Sequence, residues 1–362
     1  MNSLDLKESS ERPSPLWMVT REPALNYLVS YLTEKRSAIL SEPQAEHLLR
    51  FRAAELEEAR SAFARMILSG EEHLHRLAEL LSQLFYGVRE YGIRSVVVGQ
   101  LPGEVERFTL VQGLSRSDLY AQTDLDLGTR LLERFRMRRE ESWERASLVA
   151  NFVEYEPLQA SRYGVHKVIS RIKAEEEIWN KVVDEIFQID DILERDKQLR
   201  HLSRFVKDIF GVKVVVASSE KARELQLLLE SQDWSSELLA ALEVEASKSS
   251  RELSFLEVKD YLGEGEEAGT KSSGWRAVKS VVRWSDQLFE IQIQPLRNYH
   301  QELERFTQES HEEFKAQREA VRNTLARQVP LFGYYRDLLR WLFEDPTAAP
   351  PRFQGVKVEL ID

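Results

Sequence analysis

The sequence predicts a mixed α/β (α+β) fold, in which a mixed β-sheet is flanked by helices and preceded by a largely helical N-terminal region. Three observations lead there. Apolar, β-branched runs at 211–216, 277–282 and 288–294 are too short for helices and have strand composition. Segments between and after them, 222–229 and 298–328, carry apolar residues at helical spacing. Ahead of them, Leu74, Leu77, Ala78, Leu81, Leu84, Phe85 and Val88 trace one stripe of a helix, most simply a core or helix-pairing surface.

Residues 1–16 are polar and read as a disordered N-terminus. A helix-rich region, 17–150, follows. In it Ser41-Glu42-Pro43-Gln44 fits a capping box that opens a helix, and Ser69-Gly70-Glu71-Glu72 repeats the device as a break and restart. Gly92 closes that helix, and strands are expected at 95–98 and 107–111. The segment 130–139 is the most basic in the chain, with Phe135 and Trp143 nearby. Glu133, Glu140, Glu141 and Glu144 interrupt it, so it reads as a solvated helix face rather than a polyanion patch.

The second domain, 151–328, carries the α/β pattern: a helix at 176–207, the strand at 211–216, a helix at 222–229 and further strands at 253–258, 277–282 and 288–294. A long amphipathic helix from 298 is stopped by Pro330. The remainder, 329–362, is a last helix carrying Tyr335, Leu338, Leu339, Leu342 and Phe343, then an irregular tail.

The chain's 362 residues allow two domains. A net charge of -11 argues against a dedicated nucleic-acid binder, because phosphate contacts call for a basic surface. Cysteine is absent, which excludes disulfides, thiolate chemistry and cysteine metal sites. No apolar run approaches the roughly 20 residues that span a bilayer, and the N-terminus lacks a basic-then-apolar pattern, so no membrane partner and a cytoplasmic location are expected.

Two short stretches carry chemistry. In 288–294, Phe289, Ile291 and Ile293 point one way and Glu290, Gln292 and Gln294 the other. That polar row either floors a cleft or is an edge strand turned to water. In 170–181, Arg171, Lys173 and Lys181 lie along an expected helix start; cations near a lone carboxylate suit phosphoryl chemistry, while Lys173, Glu177 and Lys181 also fit an exposed salt-bridge ladder. His73 and His75 lie two apart on a helix and point to different sides, which speaks against a metal pair there.

Together and in order, the motifs of 162–318 resemble the synthetase domain of the RelA/SpoT alarmone synthetases. Arg171, Lys173 and Lys181 match that family's Arg-x-Lys and following Lys, with Glu177 in place of a Ser. Asp208 precedes Gly211-Val212-Lys213, where the family has Gly-x-Arg. Lys259-Asp260-Tyr261 matches intact. The family's Lys-x-Asn-Gly-Tyr-x-Ser-x-His stands here as Lys271-Ser272-Ser273-Gly274-Trp275-Arg276-Ala277-Val278-Lys279, and its Glu-x-Gln-x-Arg as Glu290-Ile291-Gln292-Ile293-Gln294. A later helix motif is loosely echoed at His311-Glu312-Glu313-Phe314-Lys315.

The resemblance implies a RelA/SpoT synthetase-like domain. Its reaction is that of a GTP pyrophosphokinase, in which pyrophosphate passes from ATP to the 3′-hydroxyl of GTP or GDP to give a (p)ppGpp-type alarmone of the stringent response. It implies Mg2+ at Asp208 and Glu290, with Glu290 also the general base. Arg171, Lys173 and Lys181 would hold ATP phosphates, Lys259 and Lys271 those of donor or acceptor, and Trp275 would stack on a purine; Lys279 and Gln292 belong to the same nucleotide site. Lys279 for His, Gln294 for Arg and Ser273 for Asn bear on acceptor recognition. The insertion 263–269 suggests a lid. No His-Asp dipeptide occurs among the 7 histidines, which argues against the hydrolase half of the long family members. Two alternatives stay open: a toxin-like pyrophosphokinase acting on the 3′ end of tRNA, and a catalytically weak nucleotide-binding sensor. The N-terminal helices would serve a homo-oligomer or a regulatory protein partner.

Overall fold

The structure, a computed structural model, describes residues 22–101, 107–134, 136–139, 142–172, 182–183, 210–263, 275–308, 323, 326–327, 329–343 and 348–362. In chain order its elements are α1 (Pro23–Ser41), β1 (His47–Arg52), α2 (Ala53–Tyr86), β2 (Tyr91–Gln100), β3 (Arg107–Leu114), α3 (Arg116–Ala121), α4 (Asp124–Glu133), β4 (Arg136–Arg139), β5 (Ser142–Arg145), β6 (Ser147–Pro157) and β7 (Val165–Ile172). There follow β8 (Phe210–Val216), α5 (Ser219–Glu230), α6 (Ser236–Ala241), α7 (Lys248–Arg251), β9 (Ser254–Asp260), β10 (Val278–Trp284), β11 (Gln287–Pro295), α8 (Leu296–Gln308), α9 (Pro330–Phe343) and β12 (Val356–Ile361).

The centre is an 8-stranded mixed sheet in the order β3-β2-β6-β7-β8-β11-β10-β9. Its one parallel pair is β8 with β11; every other neighbour runs antiparallel. The fold class is therefore the mixed sheet flanked by helices that the sequence predicts. The boundary expected between 150 and 151 falls inside β6, however, and strands from both sides of it share this sheet.

One face of the sheet is apolar. Val168, Val212, Val214, Ile291 and Ile293 form a single core with Leu74, Leu77, Ala78 and Leu81 of α2. Each such leucine, fully buried, contributes about 1.5–3 kcal/mol. Behind α2, the Tyr335 hydroxyl of α9 donates to Leu32 O of α1 at 3.0 Å, and Arg60 Nε of α2 donates to Leu342 O at 2.8 Å. No described helix is long and apolar enough to cross a membrane.

Several local expectations fail for physical reasons. Ser41 ends α1 instead of capping a new helix, and α2 runs unbroken through Gly70. That glycine is needed for close packing: a Cβ there would overlap the buried ring of Phe210 on β8. The basic segment 130–139 is not one helix; α4 ends at Glu133 and Arg136–Arg139 pairs with β5 as a hairpin. Pro330, expected to stop a helix, follows a bend at Val329 and also opens the next helix, α9, where a first-turn proline gives up no helical hydrogen bond. The tail is not irregular throughout, since β12 pairs in parallel with β1. Arg171 lies on β7 rather than at a helix start. The expected helix over 176–207, the insertion 264–269 and the motif at 311–315 lie outside the described residues, apart from a helical turn at 182–183.

Candidate nucleotide site

The second face of the sheet is polar, and register places its residues in rows. Arg171 of β7 is opposite Gly211 of β8, which is opposite Glu290 of β11. One step along, Lys213 of β8 meets Gln292 of β11, Gln292 meets Lys279 of β10, and Lys279 meets Lys259 of β9. Period-two alternation puts both rows on one face. β11 is thus an interior strand, and the edge-strand alternative does not hold: Glu290 is 2% exposed and Gln294 0%.

Glu290 is held from two sides. The Gln292 side-chain amide donates to its Oε1, and the Lys279 ammonium forms an ion pair at Oε2. Lys279 keeps part of its side chain in solvent, as does Lys259, which also pairs with Glu257 Oε1 at 2.5 Å. Gly211 leaves a slot between Arg171 and Glu290, because no side chain rises from it; the nearest atoms to a Cβ there would be two backbone oxygens at 3.9 Å. A glycine inside a strand marks a place of close approach.

Beside this row the face is closed by α8. Tyr299, Leu296 and Leu303 pack on Ile169, Val215 and Phe152. Glu302 of α8 accepts from Lys213 Nζ and from Gln294 Nε2, each at 2.8 Å. Burial alone would raise the Glu302 carboxyl, but Lys213, Gln294 and Arg171 outweigh it and hold it below its usual range. Burial pushes the Lys213 ammonium down, opposed by Glu302. Farther on, Glu154 collects Arg94 at 2.7 Å and Lys167 at 3.0 Å, a satisfied ionic cluster.

At the other end, Trp275 and Tyr261 make an edge-to-face pair with ring centroids 5.7 Å apart. They flank the strand ends of β9 and β10, where Tyr261 N donates to Ala277 O at 3.0 Å. Asp260 points elsewhere: its carboxylate accepts from Arg223 Nε of α5 and from Leu262 N, both at 2.7 Å, which fixes the start of the loop.

Of the site residues expected from sequence, Arg171, Lys259, Lys279, Glu290 and Gln292 therefore lie on one face of one sheet, and Trp275 stands just ahead of β10. Lys173, Lys181, Asp208 and Lys271 lie outside the described residues. Lys213 and Gly211, named in the sequence only as motif matches, belong to the same rows. Of the two carboxylates expected at magnesium, Asp208 lies outside the described residues and Glu290 carries the Lys279 ammonium at Oε2.

No protein-family model and no curated protein matches this sequence. Solved structures do. The chain is similar to small alarmone synthetase 1 from Bacillus subtilis bound to its product pppGpp, at 16% identity and a TM-score of 0.22, over 51% of this chain and 77% of that one. A second structure of small alarmone synthetase 1 from Bacillus subtilis gives 17% identity and a TM-score of 0.20, over 51% and 78%.

A second polar cluster lies under the sheet, on the apolar side. Glu71 and His75 of α2 and Asp124 of α4 are all buried. Burial would lower the His75 imidazole, yet Asp124 and Glu71 override it and hold it up at about 9. Glu79, one turn on, is satisfied by Arg116 Nε at 3.1 Å and the Tyr120 hydroxyl at 2.8 Å. In the sequence, His73 and His75 by themselves point to different sides of their helix. The usable signal was Glu71-His75 at i, i+4 on the stripe that also carries Leu74 and Ala78.

Proposed function

We propose that the polar face around Glu290 binds nucleotides and that the protein is a GTP pyrophosphokinase of the alarmone synthetase kind. One observation carries the reading: residues from motifs far apart in sequence, Arg171, Gly211, Lys279, Gln292 and Glu290, align in adjacent register around a side-chain-free slot. Arg171, Lys259 and Lys279 supply positive charge for phosphates, and the Trp275–Tyr261 pair offers an aromatic edge for a purine.

In this reaction the acceptor 3′-hydroxyl oxygen bonds to the β-phosphorus of ATP, the bridge to the α-phosphate breaks, and AMP leaves. Glu290 takes the hydroxyl proton. It can do so only after Lys279 has turned from the carboxylate to the phosphates, so nucleotide binding itself frees the base. The same ion pair favours a second reading, in which Lys279 keeps Glu290 neutralised and the site senses nucleotides without turnover. Magnesium enters either reading only as a companion of the ATP phosphates.

Purified protein is incubated with labelled ATP and either GTP, GDP or bulk tRNA. Label on the guanine nucleotide supports the proposal. Label on tRNA moves the acceptor to RNA, and nucleotide binding without transfer supports the sensor. Absence of both binding and transfer removes the site.

A further inference from the structure

We propose that Glu71, His75 and Asp124 form a structural binding site for one divalent transition-metal ion of the zinc class, joining α2 to α4. The three side chains are 5%, 1% and 2% exposed, and one ligand atom from each lies within 4.8 Å of the others. His75 Nε2 is 3.2 Å from Asp124 Oδ1 and 3.8 Å from Glu71 Oε1. Ligand atoms of a four-coordinate zinc, bound at about 2.0–2.1 Å, stand about 3.3–3.4 Å apart, and these separations bracket that value.

Independent of this spacing, the polar atoms are under-satisfied. His75 Nε2 has only its ion-pair contacts with Asp124 Oδ1 and Glu71 Oε1, with no well-aligned hydrogen bond, and Asp124 Oδ2 is buried without any partner. Buried polar groups are otherwise almost always paired. The far side of the ring is provided for: Nδ1 lies 3.1 Å from the Tyr155 hydroxyl and 3.3 Å from Ser170 Oγ. A proton on Nδ1, donated to either oxygen, leaves the Nε2 lone pair turned toward the carboxylates, which is the outer-shell arrangement of metal-bound histidines.

Charge favours a cation as well. Among the described residues no lysine or arginine pairs with Glu71 or Asp124; the nearby Arg116 is taken by Glu79. Two carboxylates with a protonated imidazole leave one buried negative charge unbalanced. Two carboxylates, a neutral imidazole and a divalent ion sum to zero. Imidazole with carboxylate oxygens is a borderline donor set suited to zinc and its neighbours. Glu71 Oε1 also accepts from Asp124 N at 2.5 Å, so the first turn of α4 is already drawn to α2. Because α4 lies on β2 and β6, the ion would fasten the far half of the sheet to its central helix.

The test uses the full-length protein, stripped with chelator and titrated with Co2+ and with Zn2+. One tightly held equivalent and a visible Co2+ d–d spectrum are expected. Both should survive E290Q, which acts on the nucleotide face, while D124N weakens binding by roughly 10-fold or more. No stoichiometric metal, or binding indifferent to D124N, overturns the site. Should D124N fail to fold by circular dichroism, the His75 imidazole resonances of the intact protein decide: a shift on adding Zn2+ supports the site, and none overturns it.

Discussion

Lys279 on β10 and Glu290 on β11 form an ion pair on the polar face of the sheet, diagonal neighbours in a register where Lys279 opposes Gln292 and Glu290 opposes Val281. The pair links stability to the proposed chemistry, because the carboxylate is buried at 2% exposure while the lysine keeps a path to solvent. K279M strands that carboxylate and should cost about 3 kcal/mol, the low end of what breaking a buried pair costs, given the lysine's partial exposure. K279M/E290Q should recover most of the loss. Urea unfolding of the four proteins measures the coupling, and strictly additive effects would contradict it.

Gly211 separates binding from stability. With only backbone oxygens at 3.9 Å around the position, G211A leaves the strand intact and should raise stability by up to about 0.5–1 kcal/mol, since glycine is disfavoured within strands. The same methyl enters the slot between Arg171 and Glu290 and should weaken nucleotide binding. Calorimetric titration beside thermal melts checks the split; unchanged affinity in a folded G211A would remove the slot from the site.

Gly70 is a packing residue. G70A drives a methyl into the Phe210 ring, and overpacking of this kind costs about 1–3 kcal/mol. G70A combined with F210L should regain part of it. An unperturbed G70A melt would mean that α2 does not approach β8 this closely.

Glu302 makes stability fall in acid. Its folded carboxyl lies below the ordinary value of 4.5, so its contribution is complete above that pH and is lost as pH drops through the lower, folded value. E302Q should flatten the acid limb of the stability profile without moving the neutral plateau by the same amount. Identical profiles for the two proteins below pH 4.5 would contradict the pairing with Lys213 and Gln294.

What the sequence made legible was local. The alternation of Phe289, Ile291 and Ile293 against Glu290, Gln292 and Gln294 fixes which face each residue takes, and β11 keeps it. Register is not local: nothing near Arg171 says that it lies across Gly211 from Glu290, and the charge spacing that suggests a helix start begins on a strand. β6 carries a period-two signal of its own, Val153 and Tyr155 inward against Glu154 and Glu156, but nothing local shows that Glu154 enters a buried ionic cluster with Arg94 and Lys167. Gly70 looked like a helix breaker because its reason, the Phe210 ring, is contributed by a strand distant in sequence. The buried triad was half visible, since Glu71 and His75 share a helix face, but Asp124 joins them from 53 residues beyond Glu71.

The most direct test of the central claim follows the β-phosphate. ATP labelled at that position is incubated with GTP or GDP and the protein, and AMP and guanine nucleotides are separated over time. The proposed chemistry predicts label at the guanosine 3′ position in step with AMP release, abolished by E290Q in a folded protein. Label remaining in ATP or ADP, with no AMP formed, would contradict it.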